Sequence, residues 1–509
     1  MLKCSHLSAV LSDGTTLFSD LSFTLDGHEH IALIGEEGDG KSTLLKILAG
    51  ESLDYVQITG SFHTDWKVSR LPQQISSIWL NQSPIDYLLK KNPHESIAPE
   101  AWNECEELEQ LASHLNFDKL YDDNAISTMS GGEKVRMMLL KVMSDNPDCY
   151  LLDEPTNDLD MPALEWLESW ISSCQKPVLM VSHDVHLIET CAEAILHLEL
   201  RDKKTKPVWT LFQGGYQAYL ETRTNQRAKM VQQARNDRLA YQKQKERLND
   251  LYNKVNGKLN TVSRQQPHKG QVLKKKMKSV LSSQQNLERT KLTQTDSAEE
   301  EIHFWLPDVP FPSGKKIIDQ EMDLSIGGRE LVTPFHLSLY GPVHFAVTGA
   351  NGCGKSVFLR SLYEILKKNP SLHVGWMPQD YDSAFRTEDT PAAFLNRYCN
   401  DLTLLKTRLG SLRFTASEME QSVFALSGGQ KAKLILASLA LQRCDVLLLD
   451  EPTRNLSPLS VGVLIRALRN CPAALIAVSH DRAFLDALFD KRARIEDGQW
   501  RLMTGQLES

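Results

Sequence analysis

The sequence predicts an α/β protein with two tandem copies of one unit, joined by an antiparallel α-helical hairpin. Three motifs recur at a common spacing of 297 residues, each copy has a glycine-rich loop after a strand-like run, and a basic segment separates the copies. Recurrence of separate motifs at one fixed spacing indicates that a single structural unit is repeated along the chain. The length agrees, since 509 residues exceed what one hydrophobic core usually serves.

The repeated motifs define the two copies. Their matched residues are Ser130 with Ser427, Asp153 with Asp450, and His183 with His480. The glycine loops add a fourth match, Lys41 with Lys355, at a spacing of 314. We predict a first domain over residues 1–222, a helical linker over 223–298 and a second domain over 299–509.

Composition narrows the class of protein. With 41% hydrophobic and 24% charged residues, the chain is typical of soluble globular proteins. Its apolar runs are much shorter than the roughly 18 residues of a membrane helix, and the N-terminus is typical of a first strand, not of a secretory signal. The nine cysteines form no CxxC pair, which argues against a disulfide framework or metal knuckle. We therefore expect a cytoplasmic protein.

Both copies contain a predicted phosphate-binding loop. In the first, the strand-like IALIG leads into GEEGDGKST and then a helical pattern; the second repeats this order as FAVTGANGCGKSV. Glycines let backbone N–H groups converge on phosphates, the lysine reaches the terminal phosphates, and the following serine binds Mg²⁺. The predicted nucleotide-binding residues are Gly35, Glu37, Gly38, Gly40, Lys41, Ser42 and Thr43, with Gly349, Asn351, Gly352, Gly354, Lys355, Ser356 and Val357.

Acidic pairs follow a second strand-like run in each copy, within YLLDEPT and LLLDEPT. Asp153 and Asp450 are predicted to hold Mg²⁺, and Glu154 and Glu451 to orient or deprotonate the attacking water. Two further pairs complete the predicted sites. His183 and His480 are placed to sense the γ-phosphate, while Gln73 and Gln379 are candidates to reach metal or water.

The SGG motif before the acidic strand makes the chain resemble the ABC ATPases over both copies. In that family, the SGG segment of one domain closes over nucleotide on the glycine loop of the other. The resemblance implies ATP as the nucleotide and two composite sites. The SGG segment of the first copy, Ser130, Gly131, Gly132 and Glu133, contributes to one site, and that of the second copy, Ser427, Gly428, Gly429 and Gln430, contributes to the other. Base choice is carried by the family alone, because no clear adenine-stacking aromatic precedes either loop.

The segment between the copies is basic. Residues 222–296 hold 18 Lys or Arg against 5 Asp or Glu, a net charge of +13 in a chain whose total is −8. Apolar residues at helical spacing form two stripes, separated by a turn-prone stretch around Gly257 and Pro267. The first arm, residues 219–256, would extend roughly 57 Å. A solvated charged linker is the simpler alternative.

The sequence is compatible with two kinds of ABC protein. One is an ATP-binding subunit of an importer, and the other resembles the ABC-F proteins, whose interdomain hairpin reaches toward peptidyl-tRNA on the ribosome. A basic hairpin favours the second, because RNA carries a charge on every phosphate. Its RNA-binding candidates are Lys269, Lys274, Lys275, Lys276 and Lys278, with a tip around Val262 to Lys269. FQGGYQAYLETR before the hairpin is similar to the family's ending.

Within ABC-F the chain looks most like the antibiotic-resistance branch of the Lsa and Vga type. Arg454 and Ser457 depart from the TNDLD pattern that the first copy keeps at residues 156–160, and the long arm of housekeeping members is predicted to be reduced. The resemblance implies a monomeric protein on the 70S ribosome, near 23S rRNA of the peptidyl transferase centre and peptidyl-tRNA. It implies protection from lincosamides, pleuromutilins and streptogramin A drugs. A translation factor without a drug role is the rival.

The first glycine loop is unusual in carrying Glu36, Glu37 and Asp39. Because backbone N–H groups and Lys41 do the binding in such loops, we expect these carboxylates to point outward. Glu37 stands where ABC loops usually have Asn, as at Asn351, so it is the one expected to weaken the first site.

Overall fold

A computed structural model describes residues 1–98, 101–102, 105–201, 204–261, 267–289, 302–306 and 310–504. Two units are distinguished: Met1–Tyr216 with Glu301–Ser509, and Gln217–Glu300. The first unit contains both copies of the repeat and the second contains the helical segment. Each unit has a distinct architecture and is described separately.

A six-stranded sheet forms the centre of the first copy. Its order is β5-β6-β7-β3-β8-β9, parallel except for the last pair. The strands are β3 (His30–Ile34), β5 (Val68–Leu71), β6 (Cys149–Asp153), β7 (Val178–Val181), β8 (Ala194–Arg201) and β9 (Lys206–Gln213). Strands β3, β6 and β7 are buried along their whole length, as expected when a parallel sheet is covered on both faces.

A smaller antiparallel sheet and, among the described residues, six α-helices belong to this copy. The sheet has the order β2-β1-β4, with β1 (Leu2–Leu11), β2 (Thr16–Leu25) and β4 (Val56–Thr64). The predicted N-terminal strand is therefore confirmed. The helices are α1 (Lys41–Leu48), α2 (Pro84–Leu89), α3 (Cys105–His114), α4 (Gly131–Ser144), α5 (Met161–Ser173) and α6 (Val185–Cys191).

The main sheet of the second copy repeats that of the first strand for strand. Its order is β13-β14-β15-β12-β16-β17, beside a two-stranded β10-β11 sheet. The strands are β10 (Lys316–Ile326), β11 (Arg329–Tyr340), β12 (His344–Gly349), β13 (Val374–Met377), β14 (Val446–Asp450), β15 (Ala474–Val478), β16 (Lys491–Glu496) and β17 (Gln499–Thr504). The predicted fold of two tandem α/β domains is confirmed by this matching order.

Seven α-helices belong to the described part of the second copy. They are α9 (Lys355–Leu366), α10 (Pro391–Asn396), α11 (Leu402–Ser411), α12 (Ala416–Glu420), α13 (Gly428–Gln442), α14 (Pro458–Arg469) and α15 (Arg482–Leu488). Apolar side chains on both faces of its sheet form two buried clusters, one under α13 and one under α9. These clusters fix the strand ends from which the polar motifs project.

The second unit consists of α7 (Tyr216–Thr261) and α8 (Pro267–Arg289). Gln284 on α8 donates to Asn249 on α7 at 3.1 Å, so the two helices run side by side in opposite directions. The predicted stripes are partly buried. The first consists of Val231, Ala234, Tyr241, Leu248, Tyr252, Val255 and Leu259, and the second of Leu273, Val280 and Leu287. Ala234, Val255, Val280 and Leu287 are buried, whereas Val231 is 46% exposed.

The first arm is longer than predicted. Helix α7 has 46 residues, about 69 Å at 1.5 Å per residue, and it continues through Gly257, where we predicted a turn. An isolated glycine costs a helix only about 1 kcal/mol, which neighbouring turns outweigh. Residues 262–266 of the predicted tip lie outside the described residues, and Pro267 begins α8, a position where proline is well tolerated.

Candidate nucleotide-binding sites

Each glycine loop connects a central strand to the start of a helix, β3 to α1 and β12 to α9. Gly40 and Gly354, which precede the helices, have φ values of 88° and 106°, a conformation that residues with a side chain rarely adopt. A Cβ on Gly35 would lie 2.5 Å from the backbone oxygen of Leu198. The loops therefore need glycine for backbone conformation and for close packing.

The lysine of each loop is buried inside its own loop. Lys41 Nζ donates to the carbonyls of Gly35 and Glu36, both at 2.9 Å. Lys355 Nζ makes the matching bonds to Gly349 and Ala350 at 2.9 and 2.8 Å. Burial lowers the pKa of Lys355. A cation held at a helix N-terminus among backbone N–H groups is suited to binding phosphate.

The two acidic strands place aspartates beside the loop serines. Ser42 Oγ donates to Asp153 Oδ1 at 3.0 Å, and the Ser356 side chain lies close enough to Asp450 to lower the pKa of that carboxyl. Burial raises the pKa of Asp153, and raises that of Asp450 to about 6. Asp450 Oδ1 is buried without a hydrogen-bond partner among the described residues. A buried carboxylate oxygen next to a serine hydroxyl fits a hard divalent cation.

The glutamate after each aspartate is buried against the histidine. Glu154 Oε2 accepts from the His183 backbone N–H at 3.1 Å, and His183 Nε2 lies 3.0 Å from Glu154 Oε1. Glu451 and His480 repeat this at 3.3 and 3.7 Å. In each copy, the structure thus places the predicted glutamate beside the predicted histidine.

Burial sets the protonation of these pairs. It raises the pKa of Glu154 and of Glu451 to about 8, and lowers that of His183 to about 3 and of His480 to about 4. Near neutral pH the histidines are therefore uncharged. A carboxyl group with a pKa near the working pH is suited to proton transfer.

The SGG segments begin helices α4 and α13. Ser130 and Ser427 cap these helices, each accepting from the backbone N–H three residues later. Glu133 Oε2 accepts from Ser130 N at 2.8 Å, and Gln430 Oε1 from Ser427 N at 3.0 Å. Both side chains, predicted to contact nucleotide, are engaged in capping boxes and hold the helix starts in place.

The second glycine loop faces the first SGG segment across a cleft of about 550 Å³. Asn351 Nδ2 donates to the backbone oxygen of Asp158, which joins the halves at 2.7 Å. This cleft brings together predicted residues from both copies. They are Ser130, Gly131, Gly132 and His183 from the first copy, and Asn351, Gly352, Gly354, Lys355, Ser356, Val357, Gln379, Asp450, Glu451 and His480 from the second.

A small cavity of about 30 Å³ lies between the acidic residues of the first glycine loop and the second SGG segment, and its lining includes Glu36, Glu37 and Gly429. Glu37 Oε2 accepts from the Gly429 backbone N–H at 2.5 Å. Glu36 accepts from Lys433 Nζ at 2.6 Å and from Ser457 Oγ at 2.5 Å. The outward orientation expected for these carboxylates is wrong, because their partners lie in the other copy.

The third carboxylate of this loop also points inward. Asp39 is 4% exposed, and its Oδ2 accepts from the Glu36 backbone N–H at 2.7 Å. Burial raises the pKa of Asp39 to about 7, although Lys41 opposes this shift. Gln73, by contrast, is exposed and is not among the described residues that line the first cavity.

Sequence reasoning missed several residues at this interface. Arg70 Nη1 lies 3.9 Å from Asp153 Oδ2, and Arg454 pairs with Asp158 across the halves at 3.0 Å. Arg482 pairs with Glu168 at 3.0 Å, again between copies. Only Arg454 carried a signal, as a departure from the first copy's TNDLD motif.

The basic candidates lie on α8. Lys274, Lys275, Lys276 and Lys278 are exposed, and Lys269 falls within the same helix. No helix among the described residues is long and apolar enough to cross a membrane. All nine cysteines are unpaired, and the described residues contain no group of three His, Cys, Asp or Glu arranged for metal binding.

Comparison with known proteins identifies the class. The family model described as "ABC transporter" matches residues 18–157 and 332–454, together more than half of the chain. The chain therefore belongs to the ABC transporter family. It carries two of the family's ATP-binding domains in tandem, and it is an ATPase that converts ATP and water to ADP and phosphate.

Curated relatives are similar along nearly the whole chain. "Putative ATP-binding protein YdiF" of Bacillus subtilis (strain 168) is 26% identical, covering 93% of this chain and 76% of the relative. "Probable ATP-binding protein YheS" of Escherichia coli (strain K12) is 26% identical, covering 97% of this chain and 78% of the relative. The similarity therefore includes the segment between the ATPase domains.

Solved structures share the fold. One is the archaeal ribosome recycling factor aABCE1 in complex with the ribosomal stalk protein aP1, with a TM-score of 0.61 and 18% identity, covering 98% of this chain and 90% of that one. Another, a model of ribosome-bound archaeal Pelota and ABCE1, has a TM-score of 0.59 and 17% identity, covering 98% and 78%. At this identity the likeness concerns the fold alone.

Proposed function

We propose that this chain is an ABC-F ATPase that binds the 70S ribosome in its ATP-closed state. Its interdomain hairpin then extends toward peptidyl-tRNA and the 23S rRNA of the peptidyl transferase centre, and ATP hydrolysis releases the protein. The observation that carries this proposal is the basic segment, net +13, which folds into two long paired helices with exposed lysines on α8. Such a surface is suited to RNA, whose phosphates attract it from a distance.

The comparisons support a role in translation. Two neighbours of the fold are described as a ribosome recycling factor and as a ribosome-bound complex. The curated relatives are described as ATP-binding proteins and align across the hairpin. We place the protein in the cytoplasm, acting as a monomer, since its two ATPase domains contact each other within one chain.

The second cleft supplies the residues for hydrolysis. Lys355 and the N-terminus of α9 would bind the terminal phosphates, and Gly132 would approach them from the other copy. Glu451 would take a proton from the attacking water, held in place by the backbone N–H of His480. Once the phosphate that both copies contact is cleaved, their attraction weakens and the halves separate.

Ser356 and Asp450, together with Gln379 at the edge of the cleft, would hold Mg²⁺ there. Ser42, Asp153 and Gln73 are the equivalent candidates in the first copy. Mg²⁺ neutralises charge on the phosphates during hydrolysis. These protein ligands are too few to complete the coordination of Mg²⁺, which usually takes further oxygens from phosphate and water.

Sedimentation with ribosomes tests the proposal. Purified protein is mixed with 70S ribosomes and the ATP analogue adenylyl imidodiphosphate, or with ADP, and centrifuged through sucrose. We expect the protein to pellet with ribosomes only in the presence of the analogue. Equal pelleting with both nucleotides, or with neither, would contradict nucleotide-gated ribosome binding.

We further propose that ribosome binding protects against lincosamides, pleuromutilins and streptogramin A drugs. Support comes from resemblance to the Lsa and Vga type, at Arg454 and Ser457. Both residues also have structural partners, Asp158 and Glu36. Growth of a drug-sensitive bacterium with lincomycin, tiamulin or virginiamycin M tests this role. Ribosome binding without resistance would identify a translation factor, and binding to neither ribosome nor RNA would favour an importer subunit.

A further inference from the structure

The two composite sites differ in what joins the copies. At the first, Glu36 and Glu37 make direct contacts with the second copy: Lys433, Ser457 and Ser460 hydrogen-bond to Glu36, and the Gly429 amide to Glu37. Glu36 is 15% exposed at its side chain and Lys433 8%. These hydrogen bonds join the two copies directly, and the negative charge of Glu36 is paired with the positive charge of Lys433.

The position of Glu37 matters because of what Gly429 offers. Its amide is one of the N–H groups at the start of α13, where the partial positive charge of the helix attracts anions. Glu37 places a carboxylate on this amide. A phosphate approaching the same N–H group would have to displace that carboxylate and would be repelled by its charge.

The second site has neither carboxylate. The residues equivalent to Glu36 and Glu37 are Ala350 and Asn351, and Asn351 binds the backbone oxygen of Asp158 instead. The cleft there, about 550 Å³, is lined by Lys355, Asp450 and Glu451. The SGG segment of the first copy thus faces an open space beside Lys355.

The surroundings of the aspartates at the ends of β6 and β14, Asp153 and Asp450, also differ between the two sites. Asp153 in the first site lies 3.9 Å from Arg70, a fixed cation that compensates its charge. The equivalent of Arg70 on β13 is Trp376, and the positive charges that act on Asp450 come from Lys355, Arg454 and Arg360 instead. Asp450 nevertheless retains a buried oxygen without a partner among the described residues, which leaves the second site prepared for a cation.

We infer that Glu36 and Glu37 form a carboxylate latch that joins the copies at the first site in place of the γ-phosphate. The second site, with Lys355, then binds one ATP per chain with high affinity. The inference rests on the ATP binding of the family and not on the ribosome, so it can fail independently of the proposed function.

Calorimetric titration with Mg²⁺ and adenylyl imidodiphosphate, without ribosomes, tests the latch. The full chain is expected to bind about one analogue per molecule. Lys355→Ala should abolish high-affinity binding, because the first site is not expected to bind the analogue tightly. Two equivalent tight sites in the parent protein, or tight binding that survives in Lys355→Ala, would overturn the inference.

A second set of variants tests the carboxylates themselves. Replacing Glu36 with Ala and Glu37 with Asn gives the first loop the residues of the second at these two positions, and binding should rise to about two analogues per chain. The mirror change, Ala350→Glu with Asn351→Glu, should weaken the single tight site at least about tenfold. Glu107→Gln, an exposed carboxylate on α3, is the control and should still bind one. Binding of one analogue by a folded loop-swap variant would contradict the latch. If that variant does not fold, the stoichiometry of the parent protein and the Lys355→Ala variant decide.

Discussion

Glu451 is the residue on which we expect turnover to depend most. It lies on the open second cleft, whereas its counterpart Glu154 lies in the site bridged by the carboxylate latch. Glu451→Gln should lower the rate of phosphate release at least about 100-fold, the usual contribution of a general base, and Glu154→Gln should change it less than about threefold. Steady-state phosphate assays measure both. Equal losses in the two variants would show that the sites share the work.

The pKa of Glu451 predicts how the rate depends on pH. Burial raises this pKa to about 8, and a base works only when deprotonated, so kcat/KM should rise with pH and level off above about pH 8. His480 stays neutral over this range because burial lowers its pKa to about 4. The residual activity of Glu451→Gln should lack the rise. A parent profile that is flat from pH 6 to 9 would contradict the assignment.

Glu36 has a stability role that the Glu36→Gln variant exposes. The change leaves Lys433, 6% exposed, without its ionic partner. Although burial alone would raise the pKa of Glu36, the charge of Lys433 holds it below its usual range. Removing one partner of a buried pair costs about 3–5 kcal/mol, so the urea midpoint should fall. The exposed control Glu107→Gln should shift the free energy of unfolding by less than about 0.5 kcal/mol.

Some of these residues could be assigned to the site from the sequence alone, whereas the contacts of others could not be predicted. Lys41, Ser42 and Asp153 could be placed because a strand, a glycine loop and a helix follow one another locally. The partners of Glu36 could not, since Lys433 and Ser457 are 397 and 421 residues away along the chain. An acidic loop therefore looked solvent-facing until the fold brought the second copy against it.

Helix α8 concentrates the charge that we assign to RNA binding. Changing Lys274, Lys275, Lys276 and Lys278 to Gln should weaken ribosome association and reduce the salt slope of binding by up to about 3, since each phosphate contact contributes about 0.7–0.9. Sedimentation across a salt series measures this. Removing four exposed lysines from the ATPase domains, Lys3, Lys316, Lys368 and Lys491, is the matched control. Equal effects of the two variants would indicate a general charge effect.

The hairpin also shows how far periodicity predicts an element. Buried Ala234, Val255, Val280 and Leu287 lie on the predicted stripes, so pairing of two helices was readable from the pattern. The end of α7 was not, because Gly257 is weak as a helix breaker when a long helix continues on both sides. Length and partner contacts, not local propensity, set this boundary.

At the scale of the whole molecule, two copies with one topology perform different tasks. Repetition explains the matching sheets and the matched Glu and His pairs, while a few substitutions at Glu36, Glu37 and Arg70 separate the sites. One copy is then joined to the other by protein contacts, and the remaining cleft couples ATP to their separation. Coupling between nucleotide state and domain geometry is what a ribosome factor needs to bind and leave.

Electron cryo-microscopy of 70S ribosomes with the Glu154→Gln, Glu451→Gln double variant and ATP tests the central claim most directly. Blocked hydrolysis should trap the closed form on the ribosome. The account predicts density for α7 and α8 beside peptidyl-tRNA, pointing toward the peptidyl transferase centre. Ribosomes without bound protein, or a bound protein whose hairpin contacts neither tRNA nor rRNA, would contradict it.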